Sequence, residues 1–156
     1  MRVGDGEGGP ARVTALPTWV VNQASAHASR LLAEGLAALG ARGYHYRVLA
    51  TLADHGPASQ ADLGRRSGIH VSDIVATTNE LAADGYVERA PDPADRRRNV
   101  VTITPTGRRR LRALDKRIAQ VQEELLAPLS AQERDQLVTL LRRVNAHQAQ
   151  PLRRLP

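Results

Sequence analysis

The chain has 156 residues, enough for one domain with helical extensions, and its 22 basic and 16 acidic side chains give a net charge of +6. It contains no cysteine, which excludes disulfides, cysteine-ligated metals and thiol redox sensing. No segment approaches the ~20 apolar residues of a membrane span, and the N-terminus lacks the apolar core of a signal peptide. We therefore expect a cytoplasmic protein with no membrane partner.

The basic excess is concentrated in one part of the sequence. Residues 65–117 hold 12 basic and 7 acidic side chains, which accounts for most of the net charge. All but one of the basic residues are arginines, whose planar guanidinium can pair with guanine or phosphate. GC-rich coding would produce the same arginine bias. The distribution of charge nevertheless indicates a polyanionic partner for this segment.

The first third of the sequence predicts a tail followed by two helices. Residues 1–15 are rich in glycine and charge and predict a disordered tail. A helix is predicted from residue 16 to about residue 39, and Gly40 and Gly43 end it. A second helix is predicted over residues 44–55, since Gly56 and Pro57 follow in the order typical of a helix end.

The next two predicted helices form a helix-turn-helix. Ser59 is a suitable N-cap for a short helix, and Asp62 occupies the capping-box position. Residues 67–69 form a turn that contains Gly68, and a helix over residues 71–83 follows. Two short helices joined by a tight glycine-containing turn are typical of this motif.

Periodicity divides the second of these helices into two faces. The inward face is predicted to hold Val71, Ile74, Val75, Thr78, Leu81 and Ala82. The outward face is predicted to hold Ser72, Asp73, Ala76, Thr77 and Glu80. Small outward side chains could enter a DNA major groove, where residues near the helix N-terminus reach base edges, or they could simply be solvated.

A charged turn follows this helix. Residues 86–90 and 99–104 predict two strands of one hairpin, a wing beside the helix. Its tip carries Arg96, Arg97 and Arg98, flanked by Asp92 and Asp95. An arginine run is usually a solvated loop, but two carboxylates can pair with one guanidinium and fix the hairpin while another reaches a narrow minor groove. Phosphate contacts that set the register are expected from Ser59, Arg65 and Arg66.

The last part of the sequence predicts two further helices. Thr104 and Pro105 form a strong helix start, as N-cap and first helical residue. Pro128 ends this helix, and Ser130 with Glu133 forms a capping box for the last one. Apolar residues recur at helical spacing in both helices.

The sequence resembles the MarR family of bacterial transcriptional regulators over about residues 17–147. The most specific part is residues 81–107, LAADGYVERAPDPADRRRNVVTITPTG. The family's wing and helix-start pattern is matched at Asp92, Asp95, Arg97, Thr104 and Gly107. The resemblance implies that Arg97 enters the minor groove and that Asp95 supports it.

The resemblance also implies a fold and a homodimer. The fold is mainly α with a small β-hairpin wing (α+β), in which a winged helix-turn-helix lobe at residues 44–104 lies between dimerisation helices at 16–43 and 105–148. Residues 149–156 form a basic C-terminal tail. The dimer contacts expected from the apolar stripe are Leu111, Leu114, Ile118, Val121, Leu125, Leu137 and Leu141. Two-fold symmetry implies an inverted-repeat operator in double-stranded DNA.

Two positions depart from the family pattern. Ala76 stands where many relatives carry an arginine, so no long side chain on this face can pair with guanine. Base reading would then depend on Ser72, Asp73 and Thr77, on Ala76 against a thymine methyl, and on DNA shape. His70 occupies the N-cap position, where serine, threonine, asparagine or aspartate is usual.

Members of this family commonly bind small aromatic or phenolic anions between the dimer helices and the lobe. The groups that could line such a crevice are Trp19, His27, Arg30, Tyr44, His45, Tyr46 and Arg47. An arginine or histidine with aromatic neighbours suits a carboxylated ring. Alternatively, Trp19 and Tyr46 are core residues and His27 is a hydrogen-bonded interface histidine.

The sequence therefore predicts a sequence-specific DNA-binding regulator, a homodimeric repressor released by a small aromatic or phenolic ligand. It predicts no cofactor and no metal. A winged-helix DNA-binding protein without ligand sensing, constitutive or architectural, and a protein-interaction winged helix are the alternatives. An enzyme is not expected, because no metal-ligand spacing, phosphate-binding glycine loop or Ser-His-Asp pattern stands out.

Overall fold

The computed structural model describes residues 9–149. Most of the predicted C-terminal tail and residues 1–8 of the predicted N-terminal tail lie outside this range. Within it, residues 11–14 form a short helix where a disordered tail was expected. No helix in the described range is long and apolar enough to cross a membrane.

The described chain is mainly helical with a small antiparallel sheet, so the predicted fold class is confirmed. Its elements are α1 (Ala11–Thr14), α2 (Pro17–Ala37), α3 (Gly43–His55), β1 (Ala58–Ser59), α4 (Gln60–Ser67), α5 (Val71–Ala83), β2 (Val87–Pro91), β3 (Asn99–Ile103), α6 (Pro105–Leu125) and α7 (Ala131–Gln148). The chain divides into two compact units after Val121.

The sheet has the strand order β1-β3-β2, and both pairs are antiparallel. The predicted hairpin of β2 and β3 is confirmed, and its register places Val87 opposite Ile103. The two-residue strand β1 was not predicted, because so short a segment has no periodicity. It adds Ala58 opposite Val101 and thereby attaches the start of α4 to the hairpin.

The core of the first unit lies between α3, α4, α5 and the sheet. Its fully buried side chains include one from each of these elements, among them Leu49, Leu63, Ile74 and Val101. The buried side of each helix packs against the same cluster, so the orientation of α5 is set by the core rather than by its own sequence.

The side chains of α6 contribute to this core, which corrects one prediction. Leu114 is 0% exposed and Val121 is 2% exposed within the single chain. A Cβ at Gly35 would lie 2.6 Å from Cγ2 of Val121, so α6 packs closely against α2 at this point. Leu114 and Val121 therefore pack inside the chain, and the prediction that they offer an open face to a second copy is wrong. Leu111 and Ile118 are half-buried against the same core.

The second unit shows a different distribution of apolar side chains. The predicted capping box is confirmed, since Ser130 Oγ accepts from the Glu133 backbone N–H at 3.3 Å and Glu133 Oε2 accepts from the Ser130 N–H at 2.8 Å. The predicted dimer residues Leu125 and Leu137 are half-buried in this unit. Several other apolar side chains of α7 are exposed, namely Val138, Leu140, Leu141 and Val144.

Truncating Leu114 is expected to destabilise the fold. Leu114→Ala removes a fully buried side chain and should lower the free energy of unfolding by about 2–5 kcal/mol. Val71→Ala, at a side chain that is 59% exposed, should change it by less than about 0.5 kcal/mol. Chemical denaturation of the two variants checks this, and equal stabilities would contradict the core position of Leu114.

Candidate nucleic-acid interface

The helix-turn-helix is built by local hydrogen bonds around α4. Ser59 Oγ accepts from the Asp62 backbone N–H at 3.2 Å and donates to Asp62 Oδ2 at 2.8 Å. The Ser59 hydrogen bond, and then the nearby Arg65, lower the pKa of the Asp62 carboxyl, so a negative charge complements the N-terminus of the helix. Gly68 ends α4 in the left-handed region at φ +64°. The predicted cap and turn are therefore confirmed.

The exposed face of α5 differs from the predicted one. Thr77 is 1% exposed, so the prediction that it points toward DNA is wrong. Val71 and Val75 were predicted to point inward, but they are 59% and 39% exposed. The physical reason is that periodicity gives the spacing of the two faces but not their rotation about the helix axis, and packing turns Thr77 inward together with Ile74 and Thr78. The buried Thr78 hydroxyl is hydrogen-bonded, since it donates to the Ile74 carbonyl at 2.7 Å.

The remaining predicted residues of this face are accessible. Ser72 and Ala76 are exposed and Asp73 is half-buried. The Ser72 hydroxyl lies 3.0 Å from Nδ1 of His70, which precedes the helix. His70 is the N-cap residue of α5, but its side chain makes no hydrogen bond to the backbone of the helix N-terminus. Its ring contacts the Ser72 hydroxyl instead.

The wing tip is held by its two carboxylates through backbone amides. Asp92 Oδ1 accepts from the Ala94 N–H at 2.9 Å, and Asp95 Oδ1 accepts from the Arg97 N–H at 3.1 Å. The Arg98 N–H also donates to the Asp95 carbonyl at 2.9 Å. The predicted pairing of these carboxylates with a guanidinium is wrong, because neither enters an ion pair in the described range.

The wing arginines project their charge into solvent. Arg96, Arg97 and Arg98 are exposed, and the ion pairs of residues 9–149 include none of them. On α4, Arg66 is also exposed, whereas Arg65 is ion-paired with Asp62. The lobe thus presents uncompensated positive charge from the wing and from the first helix of the helix-turn-helix.

Arg89 joins the wing to α5, a role that the sequence did not reveal. From β2, its guanidinium donates to Thr78 Oγ1 at 2.8 Å and to Asn79 Oδ1 at 2.6 Å. Gln60 at the start of α4 donates to the same Thr78 oxygen at 2.9 Å. A pocket of about 280 Å³ lies beside these groups and is lined by Gln60, Arg89, Asn99 and Val101. The partners of Arg89 are distant in sequence, so no local pattern indicates them.

Glu80 is exposed, as predicted, and is also bound by α3 and the residue before it. His45 Nδ1 accepts from the Arg42 backbone N–H at 3.1 Å, and its Nε2 donates to Glu80 Oε2 at 2.7 Å. The Arg42 guanidinium pairs with the same carboxylate. The hydrogen bond from His45, and then that from Arg42, lower the pKa of the Glu80 carboxyl. Glu80 is therefore ionised and connects α5 to the start of α3.

Several predicted ligand-binding residues have partners elsewhere in the chain. The Tyr46 hydroxyl donates to Asp115 Oδ1 at 3.0 Å; burial, and then this hydrogen bond, raise the pKa of Tyr46. The Arg47 guanidinium donates to the carbonyls of Ser67 and Gly68 at the helix-turn-helix turn. Together with His45 on Glu80, these contacts give structural roles to three of the seven candidates.

The other candidates are more accessible. On α2, Arg30 donates to Nδ1 of His27 at 3.4 Å, and both side chains are exposed. Tyr44 is 40% exposed, and Trp19 is half-buried. The described contacts do not gather the seven predicted residues around one cavity.

The wing and α6 meet in a tight junction. Thr104 Oγ1 donates to the Gly85 carbonyl at 2.7 Å and accepts from the Gly107 N–H at 3.0 Å, which confirms it as the predicted cap. A Cβ at Gly107 would lie 2.0 Å from the Tyr86 carbonyl oxygen, so only glycine fits there. Arg110 lies over the Tyr86 ring, 5.5 Å from its centroid. The end of the hairpin is thus attached directly to the start of α6.

Comparison with known proteins supports the resemblance to the MarR family. A sequence profile of the MarR family matches residues 39–98. The chain is 35% identical over 97 residues to the transcriptional repressor NicR of Pseudomonas putida, a match that covers 62% of this chain and 61% of NicR. The chain therefore spans about three fifths of the length of that curated relative.

Solved structures are similar over most of the described chain. A probable transcriptional regulator from Pseudomonas aeruginosa is 30% identical with a TM-score of 0.73, over 85% of this chain and 99% of that one. A MarR mutant from E. coli, solved with operator DNA, is 25% identical with a TM-score of 0.69, over 80% and 90%. PcaV from Streptomyces coelicolor, solved with its natural ligand, is 26% identical with a TM-score of 0.68, over 94% and 98%.

Proposed function

The chain belongs to the MarR family of transcriptional regulators, and from that premise we propose that it is a homodimeric repressor that binds operator DNA and is released by a small aromatic or phenolic ligand. The observation that carries the proposal is the wing beside the helix-turn-helix. The backbone that carries its exposed arginines is held by hydrogen bonds to Asp92 and Asp95, so the wing tip has a defined backbone from which the arginine side chains can reach DNA.

Two parts of the lobe would contact DNA differently. The exposed face of α5 would enter the major groove, where base edges differ. The wing tip would follow the backbone so that Arg97 enters the adjacent minor groove, where negative potential is concentrated when the groove is narrow. Arg66 on α4 would contact phosphate and set the register. The related MarR mutant from E. coli, solved with operator DNA, supports a DNA partner of this kind.

Exposed apolar side chains support the homodimer. On α2, Val20 is 56% exposed and Val21 is 49% exposed. On α7, Leu140 is 46% exposed and Val144 is 55% exposed. Large apolar side chains left exposed on a helix favour burial against another copy. A two-fold dimer would place two α5 helices on an inverted repeat, with half-sites about one helical turn apart.

The ligand response is supported by accessible groups on α2 and α3. His27, Arg30 and Tyr44 remain exposed and provide the charged, hydrogen-bonding and aromatic groups that a carboxylated ring requires. PcaV, solved with its natural ligand, supports a small-molecule site in a protein of this fold. His45, Tyr46 and Arg47 would act indirectly, because they already connect α3 to α5, α6 and the turn.

Selection of bound duplexes from a random pool tests the proposal. The selected sequence should be an inverted repeat, bound on the order of 10³-fold more tightly than scrambled DNA at the same salt concentration. Both affinities should fall as salt is raised, because phosphate contacts release counterions. Equal affinity for selected and scrambled duplexes would contradict a specific repressor and favour an architectural protein. Absence of binding to any duplex would favour a protein-interaction winged helix.

A screen of phenolic and aromatic carboxylates tests the ligand response. Aromatic carboxylates should release the selected duplex, and the release should weaken in an Arg30→Ala variant that binds DNA normally. Release by no compound in this class would favour the regulator without ligand sensing.

A further inference from the structure

We propose that Val71 and Val75 recognise thymine methyl groups in the major groove, so that the operator is read by apolar contact along this part of α5. The inference rests on the proposed DNA-binding function and specifies the chemistry of its base recognition. These two valines are four positions apart, so they lie on one face of the helix. They are also the large hydrophobic side chains that α5 leaves exposed.

Most polar side chains of α5 already have partners inside the chain. Thr78 donates to the Ile74 carbonyl. Asn79 accepts from Arg89 at 2.6 Å, and Glu80 accepts from His45 at 2.7 Å. These hydrogen bonds hold the polar groups toward the wing and α3, so they would have to break before the same atoms could bind a base.

The exposed face consequently offers the methyl groups of Val71, Val75 and Ala76, beside a Ser72 hydroxyl that lies against His70. Ala76 adds a further exposed methyl group on α5. In the major groove, thymine is the standard base that presents a methyl group, whereas the other bases present hydrogen-bond donors and acceptors there. A face of valine and alanine methyls therefore favours thymine, and it would leave the polar edges of guanine and cytosine without partners.

The positive charges around this face favour DNA over an apolar protein as its binding partner. Exposed Arg66 lies on the helix before α5, and Arg96, Arg97 and Arg98 lie on the wing that follows it. An apolar protein partner would have to bury or approach these uncompensated charges, whereas phosphates on either side of a major groove would neutralise them. The combination of an apolar face and flanking cations fits a duplex.

The size of the effect follows from the area of one methyl group. Burying one such group contributes about 0.8 kcal/mol, which corresponds to about fourfold in affinity. The effect at a contacted thymine is therefore measurable, and it is small enough that binding survives its removal.

The test replaces each thymine of the selected duplex, one at a time, with deoxyuracil. Uracil keeps the hydrogen-bonding edge of thymine and lacks only the methyl group, and the substitution leaves the protein unchanged. With the unmodified protein, affinity should fall about fourfold at one or more thymines in each half-site. In Val71→Ala or Val75→Ala, the same replacement should have almost no effect at the thymine that the missing side chain contacts.

Val138→Ala is the matched control. It makes the same change at a valine that is also 39% exposed, but on α7, and it should keep the full uracil penalty. The inference is overturned if uracil has no effect at any position, or if both α5 variants keep the penalty. Those results still require a bound duplex, so they are distinct from failure of the proposed function, in which no duplex is selected.

Discussion

Arg97→Ala is expected to weaken binding to the selected operator by roughly 10- to 100-fold, since an arginine that reads a groove contributes about 1–3 kcal/mol. The wing itself should keep its conformation. The reason is that Asp95 accepts from the backbone N–H of Arg97 rather than from its guanidinium, and alanine retains that N–H. The affinity is measured by fluorescence anisotropy at several salt concentrations.

Arg109→Ala provides a matched control for this loss of charge. Arg109 is exposed on α6 and donates to Thr106 in the same helix, so its removal should change operator affinity less than about twofold through the general field alone. Equal losses of operator affinity in Arg97→Ala and Arg109→Ala would show that Arg97 makes no specific contribution to recognition. A loss specific to Arg97, larger for the operator than for scrambled DNA, would establish its contribution.

The double substitution Leu141→Asp plus Val144→Asp is expected to convert the proposed dimer into a monomer of 16.9 kDa. Leu141 and Val144 are 39% and 55% exposed on α7, so the substitutions should leave the fold of the single chain intact. An unpaired charge buried at an interface costs several kcal/mol, which corresponds to a factor on the order of 10³ in the dimer dissociation constant. Size-exclusion chromatography with light scattering measures the mass.

The control for this pair introduces the same two charges elsewhere on α7. Thr139 and Ala146 are exposed, and helical geometry places them opposite Leu141 and Val144. Thr139→Asp plus Ala146→Asp should therefore remain dimeric. A dimer that persists in the Leu141 and Val144 variant would exclude this face of α7 from the interface. Leu114 is unsuitable for this test, because its substitution would disrupt the core of the single chain.

Local signals in the sequence predicted the elements well. Ser59, Thr104 and Ser130 each cap a helix by a hydrogen bond to a backbone N–H three residues later, so the capping residue and its partner lie within one turn. Gly68 marks the end of α4, because glycine, which has no Cβ, readily adopts the left-handed conformation found there. These signals depend on adjacent residues, and they located the helix-turn-helix and the helices around it.

The choice between faces required tertiary structure. Periodicity showed that α5 has two faces, but hydrophobicity alone assigned Val71 to the inside and Thr77 to the outside. The packed structure reverses both positions. The reason is that periodicity gives the spacing of the two faces but not their rotation about the helix axis. The packing of α5 against the rest of the core decides which side is buried.

The partners of the apolar stripe were likewise decided by tertiary structure. The spacing of Leu114 and Val121 predicted a buried stripe, and both are buried, but the surface that covers them belongs to the same chain because Gly35 permits close approach of α2. The sequence by itself determined where helices begin and end and where the positive charge lies, because those properties depend on neighbouring residues. Only the tertiary structure decided which side chains are left exposed, because that depends on contacts between residues far apart in the chain.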